Sequence, residues 1–219
     1  MLTGRDLWGV VISLAAISAI VALSEILRRM GASRDLTRKS VHIGIGSWCV
    51  PTLYLFDHVG AAILLPGLFV LANIAIHISG RFPSLQDEDR SNLGTIWFPL
   101  TFTLLLWIFW NPAHRGAAVA GLLTMAWGDA AASIVGRRWG RHRYPIWGGQ
   151  KSWEGSLALI IATLPALMVA GRVQEGEGLP ALLLLPVAVA AAILEAPCTR
   201  GLDNLILPGG IAVLFYFLT

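Results

Sequence analysis

Hydrophobic residues in this chain of 219 residues form long blocks that are separated by short polar loops. A block of about 15 to 23 apolar residues is long enough to cross the hydrocarbon core of a bilayer as a helix. Because two of the eight blocks are short, the pattern predicts an all-α polytopic membrane protein with seven to eight transmembrane helices. The candidate spans are residues 7–27, 41–56, 60–79, 95–110, 116–135, 153–170, 179–194 and 205–218.

The composition agrees with a membrane location. Charged residues make up 13% of the chain and hydrophobic residues 56%, whereas soluble domains carry about 25% charged residues. The chain therefore lacks the polar surface that a soluble fold of this size requires. Its two cysteines, Cys49 and Cys198, are too few for a disulfide framework. Since every loop is short, we expect a single integral membrane domain over residues 1–219.

Basic residues indicate how the spans are oriented. Cytoplasmic loops of membrane proteins are enriched in Lys and Arg. The loops assigned to the cytoplasm are residues 28–39, 80–94, 136–152 and 195–204. Of the 16 Lys and Arg residues, only Arg5, Arg115 and Arg172 then lie on the opposite side. This asymmetry accounts for the net positive charge of the chain without a nucleic-acid partner. The short loops favour a prokaryotic plasma membrane. The sequence does not indicate an oligomeric state.

Ionisable residues in or beside the spans collect at the cytoplasmic ends. Such groups are costly in a membrane unless they are paired or face water, so they mark candidate functional sites. They are Glu25, His42, His77, Asp129, Glu154, Glu195 and Asp203. A conduction pathway would instead distribute polar groups through the full depth of the membrane. We therefore expect one active site at the cytoplasmic face.

The stretch AWGDAAASIVGRRWGRHR, residues 126–143, combines a packing motif with a carboxylate. Gly128, Ala132 and Gly136 form a small-residue stripe that permits close helix packing. Asp129 lies beside this stripe, and a cluster of cations follows. A buried carboxylate near cations suits a divalent metal ion that bridges phosphate oxygens. The alternative is a packing helix whose aspartate only pairs with a neighbouring arginine.

The stretch GGQKSWEGS, residues 148–156, resembles the end of a P-loop, but its glycines and lysine do not have the P-loop spacing. Ser152 is instead predicted to cap a helix that begins at Trp153. The free N–H groups and the positive dipole end of that helix suit an anion. Lys151 adds a positive charge, and Glu154 suits a phosphate that is bridged by a metal ion. The alternative is a capped membrane helix with a dipole-matched glutamate.

Two further segments carry candidate site residues. In RDLTRKSVHIG, residues 34–44, helical spacing places Arg38, Lys39 and His42 on one face, which suits a polyphosphate or a substrate headgroup. The alternative is a snorkelling basic belt with one buried histidine. In EAPCTRGLDN, residues 195–204, Asp203 and Asn204 have the oxygen ligands that hard metal ions prefer.

Taken together, these segments resemble the membrane family of CTP-dependent lipid-alcohol kinases, which includes dolichol, phytol and farnesol kinases and a fungal diacylglycerol kinase. The matching pieces are RKSVHIG at 38–44, NLGTIWFPL at 92–100, GDAAASIVGRRWG at 128–140, KSWEGS at 151–156 and EAPCTRGLDNLILP at 195–208. The related CDP-diacylglycerol synthases share the Gly-Arg-basic stretch and the Lys-Ser-aromatic-Glu-Gly block. Their C-terminal signature contains a histidine and a second carboxylate, whereas this chain has LDNLILPGG there.

The resemblance implies transfer of the γ-phosphoryl group of CTP to the hydroxyl of a membrane lipid alcohol, with Mg²⁺ as cofactor. The implied catalytic residues are Asp129, Lys151 and Asp203, with Asp129 or Asp203 accepting the hydroxyl proton. Residues implied to bind nucleotide or substrate are Arg38, Lys39, His42, Arg137, Arg138, Ser152 and Asn204. The implied metal ligands are Asp129, Asp203 and Glu154, with Asn204 as a further candidate.

Two other functions remain possible at this point. A phosphatidate cytidylyltransferase would use the same nucleotide and metal but release pyrophosphate, and a non-enzymatic transporter or scaffold would show no nucleotide-dependent turnover. The sequence does not choose among phytol, farnesol, polyprenols and diacylglycerol. The preference for CTP rests on the resemblance alone.

Overall fold

The computed structural model describes residues 2–79, 91–146 and 149–219. Arg81 and Arg90, which contributed to the predicted charge asymmetry, lie outside these residues. The structure is 78% helical, and the prediction of an all-α polytopic membrane protein is confirmed.

The helices follow one another in the order α1 Gly4–Arg29, α2 Arg34–Ser47, α3 Cys49–Leu55, α4 Val59–Ala62, α5 Leu64–Ser79, α6 Gly94–Ile108, α7 Arg115–Leu123, α8 Ala130–Trp139, α9 Trp153–Val173, α10 Ala181–Glu195 and α11 Asp203–Leu218. A π-helical segment, Thr124–Asp129, joins α7 to α8. Two short strands, β1 Arg143–Ile146 and β2 Gly149–Ser152, lie between α8 and α9.

Within the described ranges, four helical stretches are long and apolar enough to cross a membrane. They are Gly4–Arg29, Val59–Ser79, Arg115–Trp139 and Trp153–Val173, and α6, α10 and α11 are shorter apolar helices. The remaining predicted span, 41–56, is divided into α2 and α3 at Trp48. Pro51 accounts for this break, because it has no N–H to bond the carbonyl of Ser47. Whether the chain crosses the membrane seven or eight times stays a prediction.

The stretch from α7 through α8 forms the centre of the helix bundle. Of the 18 consecutive residues that make up its most apolar part, 67% are buried, compared with 11% for the corresponding part of α1. Helix α7 packs against α9 and α11. By contrast, α1 exposes apolar side chains such as Leu7, Trp8 and Val11. Lipid tails are as apolar as these side chains, so a membrane tolerates that surface. The central stretch is therefore the one best shielded from lipid.

The predicted small-residue stripe begins in the π-helical segment and continues on α8, and it allows both to approach α9 closely. A Cβ atom at Gly128 would lie 3.0 Å from Oγ1 of Thr163, and one at Gly136 would lie 3.1 Å from Oγ of Ser152. Side chains at these glycines would push the helices apart. The stripe thus brings the helix that follows Asp129 against the start of α9.

A β-hairpin that the sequence analysis did not predict precedes α9. Strands β1 and β2 pair antiparallel, with Arg143 opposite Ser152 and Tyr144 opposite Lys151. The phenol oxygen of Tyr144 lies 2.7 Å from Oγ of Ser156 in the first turns of α9. The sequence here has no alternation of apolar and polar residues, which is the usual signal of a strand. The hairpin fixes Lys151 at the end of β2, directly before the helix.

Candidate active site

Asp129 lies at the end of the π-helical segment, in the centre of the bundle, and is 6% exposed. Such segments are rare and often occur at functional sites. Lys39 of α2 donates a hydrogen bond of 2.5 Å from its Nζ to Oδ2 of Asp129. Both side chains are nearly buried, with 11% and 9% of their surface exposed. The structure thus brings together two predicted site residues that are 90 positions apart in the chain.

A second buried pair joins β2 to the end of α10. The Lys151 ammonium donates to the carboxylate of Glu195 and, at 2.5 Å, to the backbone carbonyl of the same residue. Glu195 is 5% exposed and is the last residue of α10. The sequence analysis recognised Glu195 as a cytoplasmic-end carboxylate but did not assign it to the site. Only the position of a charged residue at the end of an apolar span signals its role.

Ser152 caps α9 as predicted. Its hydroxyl oxygen accepts a hydrogen bond of 3.1 Å from the N–H of Gly155, and its side chain is buried. Because this oxygen is already bonded within the cap, it contributes to the site mainly by holding the helix start in place. The hydroxyl nevertheless lies at the wall of a polar cavity, together with Gly155 and Lys151.

The predicted metal ligand Glu154 is not brought together with the other carboxylates. Its carboxylate accepts hydrogen bonds from the N–H groups of Arg141 and His142, at 3.2 and 3.1 Å, and lies 2.7 Å from Nδ1 of His142. These contacts hold the hairpin against α9. The sequence analysis placed Glu154 in the right turn of the helix, but the hairpin turns its side chain away from Asp129.

The two arginines of the GRRWG segment have different environments. Arg137 forms an ion pair of 2.6 Å with Asp35 of α2 and also contacts the hydroxyl of Ser133. It lines the polar cavity. Arg138, also predicted to bind nucleotide, stacks over the ring of Trp139 instead, with its Cζ 5.2 Å from the ring centre. Consecutive helical residues point about 100° apart, and of these two arginines it is Arg137 whose side chain lines the cavity.

Two loop segments meet at the start of α11. The N–H of Leu93 donates 3.1 Å to the carbonyl of Arg200. Gly201 has a φ of +81°, and a Cβ atom there would lie 2.3 Å from the nitrogen of Gly94. Only glycine permits this close backbone approach. As a result the NLG and RGLDN segments dock on each other, and this contact fixes the position of Asp203.

Two cavities meet among these residues. The first has a volume of about 420 Å³ and polar walls, which include Arg38, Lys39, Asp129, Ser133, Arg137, Arg143, Lys151, Ser152, Glu195 and Asp203. The second has a volume of about 330 Å³ and is largely apolar, with walls that include Ile17, Ile45, Trp48, Pro66, Phe69 and Phe102. Arg38, Lys39, Asp129 and Asp203 line both cavities. The carboxylates thus lie where a polar compartment meets an apolar one.

His42 and Asn204 lie on the apolar side of this junction. The Nε2 atom of His42 is 3.9 Å from Oδ2 of Asp129, and its ring packs on Phe98 with 4.4 Å between the ring centres. Asn204 is the second residue of α11, and its backbone N–H donates a hydrogen bond of 2.9 Å to Oδ1 of the preceding Asp203. Both residues are therefore near the cavity junction and are not walls of the polar cavity among the residues described.

The donor set at the junction fits Mg²⁺. Among the described residues, no group of three or more His, Cys, Asp and Glu side chains is arranged to hold a metal ion. Mg²⁺ does not require such a cage, because it is usually held by one or two carboxylates together with water and substrate phosphates. Asp129 and Asp203 both line the two cavities where these meet. A divalent cation between them would offset the repulsion between two negative charges at one site.

Comparisons with known proteins identify the family of this chain. Residues 2–196 match the sequence model of the cytidylyltransferase family. The chain is 38% identical over 217 residues to the phytol kinase of Synechocystis, an alignment that covers 95% of this chain and 91% of that protein. It is 29% identical to the chloroplastic farnesol kinase of Arabidopsis thaliana, over 89% of this chain and 68% of the relative. A shorter match, 30% identical over 55% of this chain and 23% of the relative, is to the dolichol kinase of Saccharomyces cerevisiae.

Proposed function

Because this chain belongs to the cytidylyltransferase family, and within it to the lipid-alcohol kinases, we propose that it transfers the γ-phosphoryl group of CTP to the hydroxyl of a membrane lipid alcohol. One structural observation supports the proposal above others. A polar, basic cavity and an apolar cavity share the walls formed by Lys39, Asp129 and Asp203. This is the arrangement that a reaction between a nucleotide and a lipid requires.

The polar cavity suits the triphosphate. Among the described residues that line it, five are basic and three are acidic. A nucleoside triphosphate keeps a net negative charge even after it binds Mg²⁺, so this excess of positive charge is complementary. Lys39 and Lys151, which now pair with Asp129 and Glu195, would turn toward phosphate oxygens. Phosphoryl transfer depends mainly on such positioning and charge stabilisation.

Asp129 and Asp203 are the residues proposed to hold Mg²⁺. When bound, the metal ion would neutralise charge on the phosphate oxygens during transfer. Asn204 can add an amide oxygen from the next position in α11. Glu154 is left out of this proposed set, because its carboxylate is bonded to the hairpin.

The apolar cavity suits the hydrocarbon chain of the alcohol. Its walls come from α1, α2, α5 and α6, so a chain held there would lie among membrane helices while the hydroxyl reaches the carboxylates. The names of the relatives point to phytol, farnesol or dolichol as the class of alcohol. We propose a prenol on this basis.

We further propose that the site faces the cytoplasm of a prokaryotic cell and that residues 1–219 form one membrane domain. The basic residues of the site, including Arg38, Arg137 and Lys151, are on the side that the positive-inside rule assigns to the cytoplasm. CTP is available in that compartment.

A product assay tests the proposed reaction. Purified protein receives Mg²⁺ and CTP labelled at either the α- or the γ-phosphate, together with mixed prenols, diacylglycerol and phosphatidate. We expect the γ label in a prenol and CDP as the second product. Label from the α-phosphate in lipid would instead identify a cytidylyltransferase, the alternative within this family. No label in lipid with any acceptor would reject both reactions.

A matched pair of variants links the reaction to the site. Asp129→Asn is expected to abolish turnover while the protein remains inserted and folded, because the amide cannot replace the carboxylate charge. The control is Asp57→Asn. Asp57 pairs with Arg5 near the start of α1, away from both cavities. Equal activity of the Asp129→Asn variant and the wild type would reject the role assigned to Asp129.

A further inference from the structure

His42 has an unpaired ring nitrogen at the point where the two cavities meet. Its Nε2 atom is buried and has no hydrogen-bond partner among the described residues. A buried polar atom without a partner costs free energy, so its position calls for a ligand that completes it. The same ring lines the apolar cavity, where the lipid hydroxyl would lie under the proposed function.

The environment of the ring fixes which nitrogen is available. The backbone of Met125, in the π-helical segment, has a hydrogen-bonding interaction with the His42 ring. Because Nε2 is unpaired, we assign this interaction to Nδ1, which then carries the proton and donates it to the Met125 carbonyl. In a neutral imidazole the other nitrogen is an acceptor. Packing of the ring on Phe98 restricts its rotation. Nε2 is thus a hydrogen-bond acceptor in a fixed position, and it faces the junction of the two cavities.

The carboxylates at the junction are less suited to take a proton. Without nucleotide, Oδ2 of Asp129 accepts a hydrogen bond from Lys39, and Oδ1 of Asp203 accepts from the backbone and side chain of Asn204. When Lys39 turns to the phosphates, Asp129 and Asp203 are the proposed ligands of Mg²⁺, and a carboxylate that binds a cation is a weak proton acceptor. The Nε2 atom of His42 lies 3.9 Å from Oδ2 of Asp129, too far for a direct hydrogen bond. The oxygen atom of a substrate hydroxyl between them can lie within hydrogen-bond distance of both Nε2 of His42 and Oδ2 of Asp129.

On these grounds, and resting on the proposed kinase reaction, we propose that His42 is the general base for the lipid alcohol. The hydroxyl oxygen forms a bond to the γ-phosphorus, and the bond from that phosphorus to the bridging oxygen breaks, leaving its electron pair on CDP. The hydroxyl proton moves to Nε2 of His42 and passes to water after the product leaves. Neither Asp129 nor Asp203 is protonated in this step.

Two variants of His42 separate proton transfer from packing. His42→Phe keeps a ring against Phe98 but has no acceptor, and His42→Gln keeps a hydrogen-bonding group that does not take a proton at neutral pH. General-base catalysis contributes about 10²- to 10⁴-fold to a rate. We expect kcat to fall by at least about 100-fold in both variants. Mg²⁺–CTP affinity, measured by calorimetry, should stay within about threefold of wild type, since His42 lies outside the polar cavity.

The control for a nonspecific histidine effect is His114→Ala. His114 is exposed directly before α7 and does not line either cavity, so we expect wild-type kcat and affinity. Wild-type protein that fails to label a lipid alcohol would reject the proposed function itself. An active wild type with an active His42→Phe variant would reject only the role of His42.

An acceptor series provides the readout that a purely structural role would not change. The variants are compared on a prenol whose C2–C3 bond has been saturated and on the 2,2-difluoro analogue of that saturated alcohol, whose hydroxyl is more acidic. A more acidic hydroxyl needs less help from a base, so the deficit of His42→Phe should shrink by at least about tenfold on the analogue. An equal deficit on both alcohols would show that His42 positions the substrate and does not accept its proton, which would overturn the proposal.

Discussion

The buried ion pair between Lys39 and Asp129 allows a quantitative test of the site before any substrate is known. The two charges are 2.5 Å apart, with 11% and 9% of their side chains exposed. Removal of one partner from a buried pair leaves an uncompensated charge and costs about 3–5 kcal/mol. We therefore expect Lys39→Met to lower the apparent Tm by roughly 6–20 °C, at about 2–4 °C per kcal/mol for a chain of this size.

The assay is thermal unfolding of purified protein in detergent, without nucleotide or metal. Asp129→Asn should cause a similar loss, because it leaves the Lys39 charge unpaired. The double variant should recover most of the loss, with a coupling energy of about 2–3 kcal/mol. The matched control is Arg28→Met. Its pair with Glu25 has a similar distance of 2.7 Å but is largely exposed, so the Tm should stay close to that of the wild type.

The same variants also test the metal site. In Lys39→Met the carboxylate of Asp129 is free, so Mg²⁺ alone should raise the Tm of this variant more than that of the wild type. Strictly additive losses in the double variant would show that the two residues do not interact in the folded protein. An equal response of variant and wild type to Mg²⁺ would show that Asp129 is not a metal ligand.

Three further outcomes follow from the structure. Ile17→Trp narrows the apolar cavity, so it should raise KM for a long prenol by at least roughly tenfold without changing Mg²⁺–CTP affinity. The control Ile12→Trp, on the exposed face of α1, should change neither KM nor affinity. Kinetics measure KM, and calorimetry measures the affinity. Glu154→Gln should lower the Tm but leave Mn²⁺ affinity in a spin-resonance titration unchanged, and a loss of that affinity would restore Glu154 as a ligand. Burial raises the pKa of Cys198 to about 11, and the thiolate is the reactive form of a cysteine. Alkylation of Cys198 at pH 8 should therefore be about two orders of magnitude slower than alkylation of a free cysteine, and it should become faster toward pH 11. A rate at pH 8 equal to that of a free cysteine would contradict this prediction.

Hydrophobic blocks were sufficient to predict most of the helices, although not the break at Trp48, because burial in lipid is a local property of each segment. The stripe of Gly128, Ala132 and Gly136 and the cap at Ser152 were readable for the same reason. Each depends on residues within one or two helical turns. The hairpin was missed because Tyr144 to Ser152 has no strand periodicity, and its stability comes from contacts with α9.

The sequence by itself determined the class of fold, and it predicted a side of the membrane for the polar residues and the residues of a site. It did not determine how their side chains pair. Lys39 meets Asp129, and Lys151 meets Glu195, because helices far apart in the chain pack around the π-helical segment. The same packing turns Glu154 away from the site and leaves an apolar cavity next to a polar one. A residue type and its spacing predict what a side chain can do, but its partner depends on the packing of helices from distant parts of the chain.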